Sequence, residues 1–268
     1  MSDYIGFIPG KGIEWMELNL LMKGTSLNKA QIQGLADGIE EQDIDELLTD
    51  IDWRSGHYKV PLYQVRNNKV TPLLSWQEVP EYFLCLYYSF HGASDDSGGT
   101  ALFEKISASA LKNYLDGDAI SLGFPTKTSF NSHLDNIARL CCEERNMLAS
   151  SSYKDDGVDV VGYKSFDDGR SSNLYVLLQC AAGLHWTSKK PIPIERWTNY
   201  IVWFQKNIIQ SISTVEYVKK RHWDKHASTY GMLLDRLRIY NCLYQSEVEQ
   251  DLRNETLTWC RTKIDEIE

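Results

Sequence analysis

Two apolar runs joined by a turn constrain this chain more than any other feature. They read Asp155-Asp-Gly-Val-Asp-Val-Val-Gly-Tyr163 and Leu174-Tyr-Val-Leu-Leu-Gln-Cys-Ala-Ala182, with Asp167-Asp-Gly-Arg-Ser-Ser-Asn173 between them. β-Branched and aromatic residues on both sides of a Gly/Asp/Ser/Asn cluster specify a β-hairpin. The second run is almost wholly apolar, so the hairpin belongs in the core. Helical spacing surrounds it. Leu102, Phe103, Ile106, Ala110, Leu111, Tyr114 and Leu115 repeat at three and four residues with Gly117 as a stop, and Leu134, Ile137, Ala138, Cys141 and Met147 line one side of 132–148. Residues 194–212 are predicted to be helical, 233–243 to form a further apolar element, and 244–264 to form a last helix. The expected class is α/β (α+β), with a mixed central sheet flanked by helices.

Upstream, Leu35, Ile39, Ile44, Leu47, Leu48 and Ile51 recur among acids, with Ser26 or Asn28 as caps, and predict an amino-terminal helical unit. Residues 58–74 alternate around Asn67-Asn68 and predict a short hairpin, with Pro61 favouring a sheet edge. Residues 80–91 read as a helix with Pro80 in its first turn. The run Gly92-Ala-Ser-Asp-Asp-Ser-Gly-Gly99 is the clearest linker. It divides the chain into a helical and hairpin region, 1–98, and an α/β domain, 99–268. At about 150 residues per domain, 268 residues allow one large domain or two small ones.

Charge is unevenly spread. Residues 31–52 carry Asp37, Glu40, Glu41, Asp43, Asp45, Glu46, Asp50 and Asp52 against no Lys or Arg. Over 185–226 the balance inverts, and Lys219-Lys220-Arg221 is either a solvated helix face or a nucleic-acid-binding strip. The net charge of −9 argues against indiscriminate nucleic-acid binding but not against a DNA enzyme. No apolar stretch approaches the roughly 20 residues of a membrane span. The first residues lack a cationic and then apolar leader, so a cytoplasmic location is expected. The six cysteines form no C-x-x-C pair, so reduced thiols are expected. His222 and His226 have the spacing of a helical metal site but lack the Glu that follows the first His in a zinc protease.

The chemistry-bearing residues cluster at one end of the central hairpin. Asp159 leads one strand, Gln179 and Cys180 end its neighbour, and Lys189 and Lys190 follow. The Asp159 carboxylate, the Gln179 side-chain oxygen and the Cys180 carbonyl are oxygen ligands of the kind Mg²⁺ takes, with water completing the shell. A nearby ammonium would orient a water and stabilise charge on a phosphate. The same residues have plainer uses. Asp159 can cap the hairpin or pair with Arg170, Gln179 can be a core amide, Trp186 a core ring, and Asp156 a substitute ligand. A thiol hydrolase built on Cys180 and His185 is a further alternative, without an evident third group.

At these residues the chain resembles the PD-(D/E)XK, or restriction-endonuclease-like, phosphodiesterase family. That pattern has an Asp on one core strand, (E/Q)-x-K on the next, and often a Glu on a preceding helix. Asp159 matches the Asp, Gln179 the Glu/Gln position, and Glu143 or Glu144 the helix acid. The pattern departs at Ala181, which stands where the lysine belongs, so Lys189 or Lys190 would supply the ammonium. The resemblance spans about residues 101–212. It implies a restriction-endonuclease-like core, a Mg²⁺- or Mn²⁺-dependent DNA endonuclease with Asp159, Gln179, Lys189 and Lys190 as catalytic residues, and a role in bacterial anti-phage defence. It also implies a protein partner such as an ATPase or sensor subunit, and leaves self-association open. The alternative is a catalytically inactive, nuclease-like adaptor of a defence complex.

Overall fold

The computed structural model describes residues 4–93, 97–123, 128–151 and 153–267. The first hundred residues build α1 (Gly12–Lys23), β1 (Leu27–Asn28), α2 (Lys29–Leu35), α3 (Glu41–Ser55), β2 (Tyr63–Arg66), β3 (Lys69–Pro72) and α4 (Pro80–His91). Then follow α5 (Gly99–Leu115), β4 (Asp118–Ser121), α6 (Phe130–Leu140), β5 (Glu144–Arg145), β6 (Val160–Lys164) and β7 (Leu174–Ala181). The chain continues through α7 (Ile194–Tyr200), β8 (Ile201–Val202), β9 (Ile209–Thr214), α8 (Lys220–Tyr230), β10 (Met232–Leu234), α9 (Arg236–Leu243) and α10 (Gln250–Asp265). No helix among the described residues is long and apolar enough to cross a membrane.

The central sheet has the order β10-β9-β7-β6-β4. Strands β10, β9 and β7 are parallel, whereas β6 runs antiparallel to both β7 and β4. The sheet is therefore mixed, as the apolar hairpin and surrounding helices predict. Its middle strand is covered on both faces. Val176, Leu178 and Cys180 pack with Phe103, Ile106 and Leu111 of α5, while Tyr175 and Leu177 join Leu134 and Ile137 of α6 and Trp197 of α7. This double burial explains why β7 is apolar at almost every position.

Local chemistry accounts for several elements. Asn28 and Gln31 form a reciprocal capping box at the start of α2. Asn67 and Asn68 adopt positive φ angles of 50° and 56° and turn β2 into β3, which Asn accepts more readily than most residues. The helix predicted over 194–212 is corrected. It ends at Tyr200, and the run from Ile209 to Thr214 forms β9 because the pairing slot between β7 and β10 outweighs local helical spacing. The segment 132–148 likewise stops being helical at Leu140. Cys142 takes φ 55°, and Glu144-Arg145 pair with Ile201-Val202. The last helix starts at Gln250 rather than near 244.

Part of the expected linker, residues 94–96, lies outside the described residues. On either side of it the packing is continuous: Leu18, Phe83, Phe103, Leu178 and Ile239 share one core. A buried ionic cluster crosses the same boundary. Glu17 of α1 is fully buried, accepts hydrogen bonds from Tyr63 (2.6 Å) and Tyr82 (2.9 Å), and pairs with Arg54 (3.3 Å) and Arg236 (3.1 Å). Residues 1–98 and 99–268 are thus joined through a common interior rather than hung on a linker.

Gly162 sets how closely α5 lies on the sheet. A Cβ there would stand 2.6 Å from a methyl carbon of the buried Leu111. Gly162→Ala is expected to cost about 1–3 kcal/mol by overpacking, measured as a lower midpoint in urea unfolding.

Candidate active site

Strand register places Asp159 at the end of the hairpin. Val160 pairs with Leu178, and just beyond this pair the Asp159 N–H donates to the Leu178 carbonyl (2.9 Å). The Asp159 carboxylate then accepts the Cys180 N–H at 2.6 Å, and Lys189 Nζ donates to the Cys180 carbonyl at 2.9 Å. Both main-chain groups of Cys180 on β7 are therefore engaged, the N–H by the acid just before β6 and the carbonyl by an ammonium from the loop that follows. Arg170 pairs with Asp168 instead and leaves Asp159 to the site.

Two further acids lie within electrostatic reach of this point, and neither is among the residues the sequence motif singles out. Glu104 projects from the second turn of α5, and Asp155 lies in the turn before β6, where its carboxylate accepts the Gly157 N–H (2.8 Å). Burial, followed by the charges of Asp159 and Asp155, raises the Glu104 carboxyl from its ordinary 4.5 to about 7, against the opposing pull of Lys189. Burial also raises Asp159, opposed by the Cys180 N–H and Lys189 and reinforced by Asp155. Among the described residues Glu104 has no hydrogen-bond or ion-pair partner. Its sequence signal is faint: a charged residue between Phe103 and Ile106 on the edge of the apolar stripe of α5.

Of the other motif residues, Gln179 stands one register step beyond the Val160–Leu178 pair, across from Asp159, whereas Glu143 and Glu144 lie apart. Gln179 neighbours Cys180, so strand alternation turns its side chain to the opposite face from α5. There its amide nitrogen lies by Gly157, and its buried Oε1 has no hydrogen-bond partner. Glu143 is buried at the far end of the hairpin, where it accepts from Ser172 N–H (2.9 Å), Tyr175 OH (2.6 Å) and Phe204 N–H (3.1 Å). Tyr175 and Cys180 are five residues apart along β7, about 16 Å at strand rise, so Glu143 does not reach Asp159. Glu144 is exposed on β5. The helix acid beside the site is Glu104, because α5 rather than α6 lies over that end of β6 and β7. Asp156 is committed to Arg196 (2.6 Å) and the Tyr200 hydroxyl (3.0 Å). Lys190 is exposed in the loop, and Ala181 is buried with Trp186 and Ile212. The Cys180 thiol is fully buried and pushed well above its ordinary range, so the Cys180/His185 alternative lacks an accessible thiolate.

Helix α8 supports the loop of Lys189. Trp186 packs on His226 at 4.7 Å, and the Tyr230 hydroxyl donates to the carbonyls of Thr187 (2.7 Å) and Lys189 (3.0 Å). The basic run begins at the same helix, with Lys219 as its cap and Lys220 and Arg221 exposed in its first turn. The Asp159 carboxylate and the Lys189 ammonium thus meet on the main chain of Cys180, and α8, which braces the Lys189 loop, carries the basic run at its start. No family model, no curated protein and no solved structure matches this chain.

The raised Glu104 carboxyl has a measurable consequence. Its folded-state value exceeds its unfolded one, so the folded state holds the proton more tightly and loses stability as pH rises from about 4.5 to 7. In EDTA, Glu104→Gln is expected to stabilise the protein at pH 8 by about 1–2 kcal/mol, allowing for solvent screening of a half-buried group, and to change nothing near pH 4. Denaturant titrations at the two pH values check this; an equal effect at both would remove ionisation as the cause.

Proposed function

We propose that the chain is a metal-dependent DNA endonuclease with a restriction-endonuclease-like core. The observation that carries this reading is the meeting of the Asp159 carboxylate and the Lys189 ammonium on the main chain of Cys180 at the end of the β6–β7 hairpin, with Glu104 within electrostatic reach. The donor set is all oxygen, which suits Mg²⁺ or Mn²⁺ rather than Zn²⁺. Among the described residues no three His, Cys, Asp or Glu side chains close around one point. A Mg²⁺ ion would therefore rest on Asp159, Glu104, the Cys180 carbonyl and water, and repulsion among acids that already raises Glu104 would be relieved by a cation. When bound, the ion would act as a Lewis acid on the phosphate and make its water more acidic.

The chain's own groups supply the remainder. Glu104, held as the carboxylate beside the ion, would orient the attacking water. Lys189 can leave the Cys180 carbonyl to stabilise the charge that develops on the phosphate. Lys219, Lys220 and Arg221 would hold the DNA backbone on α8, the helix that braces the Lys189 loop. A cytoplasmic role in anti-phage defence beside an ATPase or sensor partner belongs to the same reading and rests on the family resemblance alone.

A second reading, a catalytically inactive nuclease-like adaptor, is favoured by one observation: the lysine position is the buried Ala181. Cleavage of supercoiled plasmid by the purified protein separates the two. Nicking that requires Mg²⁺ or Mn²⁺, stops in EDTA and is lost in Asp159→Asn supports the endonuclease; silence with every metal supports the adaptor.

A further inference from the structure

The acidic block of 31–52 and the basic run of α8 face each other across a cleft of about 710 Å³. One wall is a stripe of α3 at helical spacing, Asp43, Glu46 and Asp50; the other is Lys219, Arg221 and His222. All six are exposed. The opposite side of α3 holds it in place, because Ile44, Leu48 and Ile51 are buried in the main core. On a third side Glu41 and Asp45 pair with Lys29, at 2.9 and 2.7 Å. Asp43 and Glu46 have no ion-pair partner among the described residues. Lys219 and Asp50, 4.0 Å apart, form the one ion pair among the described residues that bridges the cleft.

Such a pair is weak, since both side chains are about half exposed. The remaining opposed charges are separated by solvent and act at longer range. Acids one turn apart, about 5 Å along the helix axis, are a sparse imitation of a nucleic-acid backbone, which carries a charge about every 3.4 Å per strand. A real backbone would therefore outcompete the stripe for α8, but only after paying for its displacement. We propose that the acidic stripe of α3 is a built-in competitor for α8, screening the cations along which a nucleic acid would reach the Lys189 loop and yielding only to a polyanion. The inference rests on the endonuclease reading for its ligand, since α8 is taken as the face that holds the DNA backbone.

The test is equilibrium binding of a fluorescent DNA duplex to the full chain in EDTA, followed by anisotropy. Three proteins are compared: wild type, Asp43→Asn/Glu46→Gln/Asp50→Asn, and a charge-matched control, Glu247→Gln/Glu249→Gln/Asp251→Asn, whose exposed acids lie before and at the start of α10. At about 50 mM salt the α3 variant should bind at least about 10-fold more tightly than wild type, and the control within about 3-fold. Adding Lys219→Ala/Arg221→Ala to the α3 variant should remove the gain. Equal tightening in the α3 variant and the control would overturn the inference while leaving DNA binding intact. Absence of binding in all three proteins would overturn the nucleic-acid reading and this inference with it.

Discussion

Glu17→Ala is expected to destabilise the fold by about 3–5 kcal/mol, enough to lower the melting temperature by roughly 10 °C or more. Glu17 is the shared acceptor of a buried cluster. Its carboxylate takes hydrogen bonds from two tyrosine hydroxyls and ion pairs from Arg54 and Arg236, and it has no exposed surface. Removing it leaves Arg236, itself fully buried, with the more distant Glu14 at 3.4 Å as its acidic partner, and leaves a buried Arg236 Nε that already lacks a partner. Two cations with half their countercharge gone are costlier than the cavity of the lost side chain. Glu17→Gln keeps the shape and the acceptor oxygen, so its cost should be smaller, and comparing the two separates charge from packing. The apolar core stays continuous across both regions without the cluster, so the Glu17→Ala transition should stay single. A variant that melts in two steps, with residues 1–98 first, would show that the two regions are less tightly joined than their shared core indicates.

The second large effect is the one the endonuclease reading expects on catalysis. Asp159→Asn should lower metal-dependent plasmid nicking by about 10²-fold or more, the usual scale for removing a charged group from a reaction centre. Asn is the informative replacement, because its side-chain oxygen can still accept the Cys180 N–H that Asp159 holds at 2.6 Å. The strand end then keeps its geometry and only the charge is lost. Glu104→Gln and Lys189→Ala should act in the same direction, with Lys190→Ala and Glu143→Gln near wild type in rate. If Glu143 proved as important as Glu104 while the fold stayed intact, the site would have to be redrawn around the other end of β7.

Much of the architecture is legible before folding. The long apolar strand at 174–182 requires cover on two faces, and its Asp/Gly/Ser turn requires an antiparallel partner, so a sheet with helices on both sides follows from pattern alone. The Asn67-Asn68 hairpin and the helices at 80–91 and 101–115 are equally local, since capping, turn chemistry and periodicity act within a few residues. The segment 194–212 is not local in this sense. Its spacing satisfies a helix, but Ile209–Thr214 gains more by completing the sheet beside β7.

The site divides in the same way. Sequence alone determined that an acid would head the strand at 159, that cations would follow β7, and that an acidic and a basic block exist. Only the tertiary structure decided which acids meet. Glu104 is 55 residues from Asp159 in sequence and comes to it because Gly162 lets α5 lie close on β6. Glu143, nearer in sequence to Asp159, is carried to the opposite end of the hairpin. Gln179 and Cys180 are adjacent in the chain but face opposite ways, because the pleat alternates side chains between two differently covered faces. The pairing of the α3 stripe with α8 is likewise a product of packing, since the apolar residues on the far side of α3 select the core and leave its acids facing the cleft. Residue type and spacing act along the chain, whereas proximity between distant groups is set by which faces must be buried together.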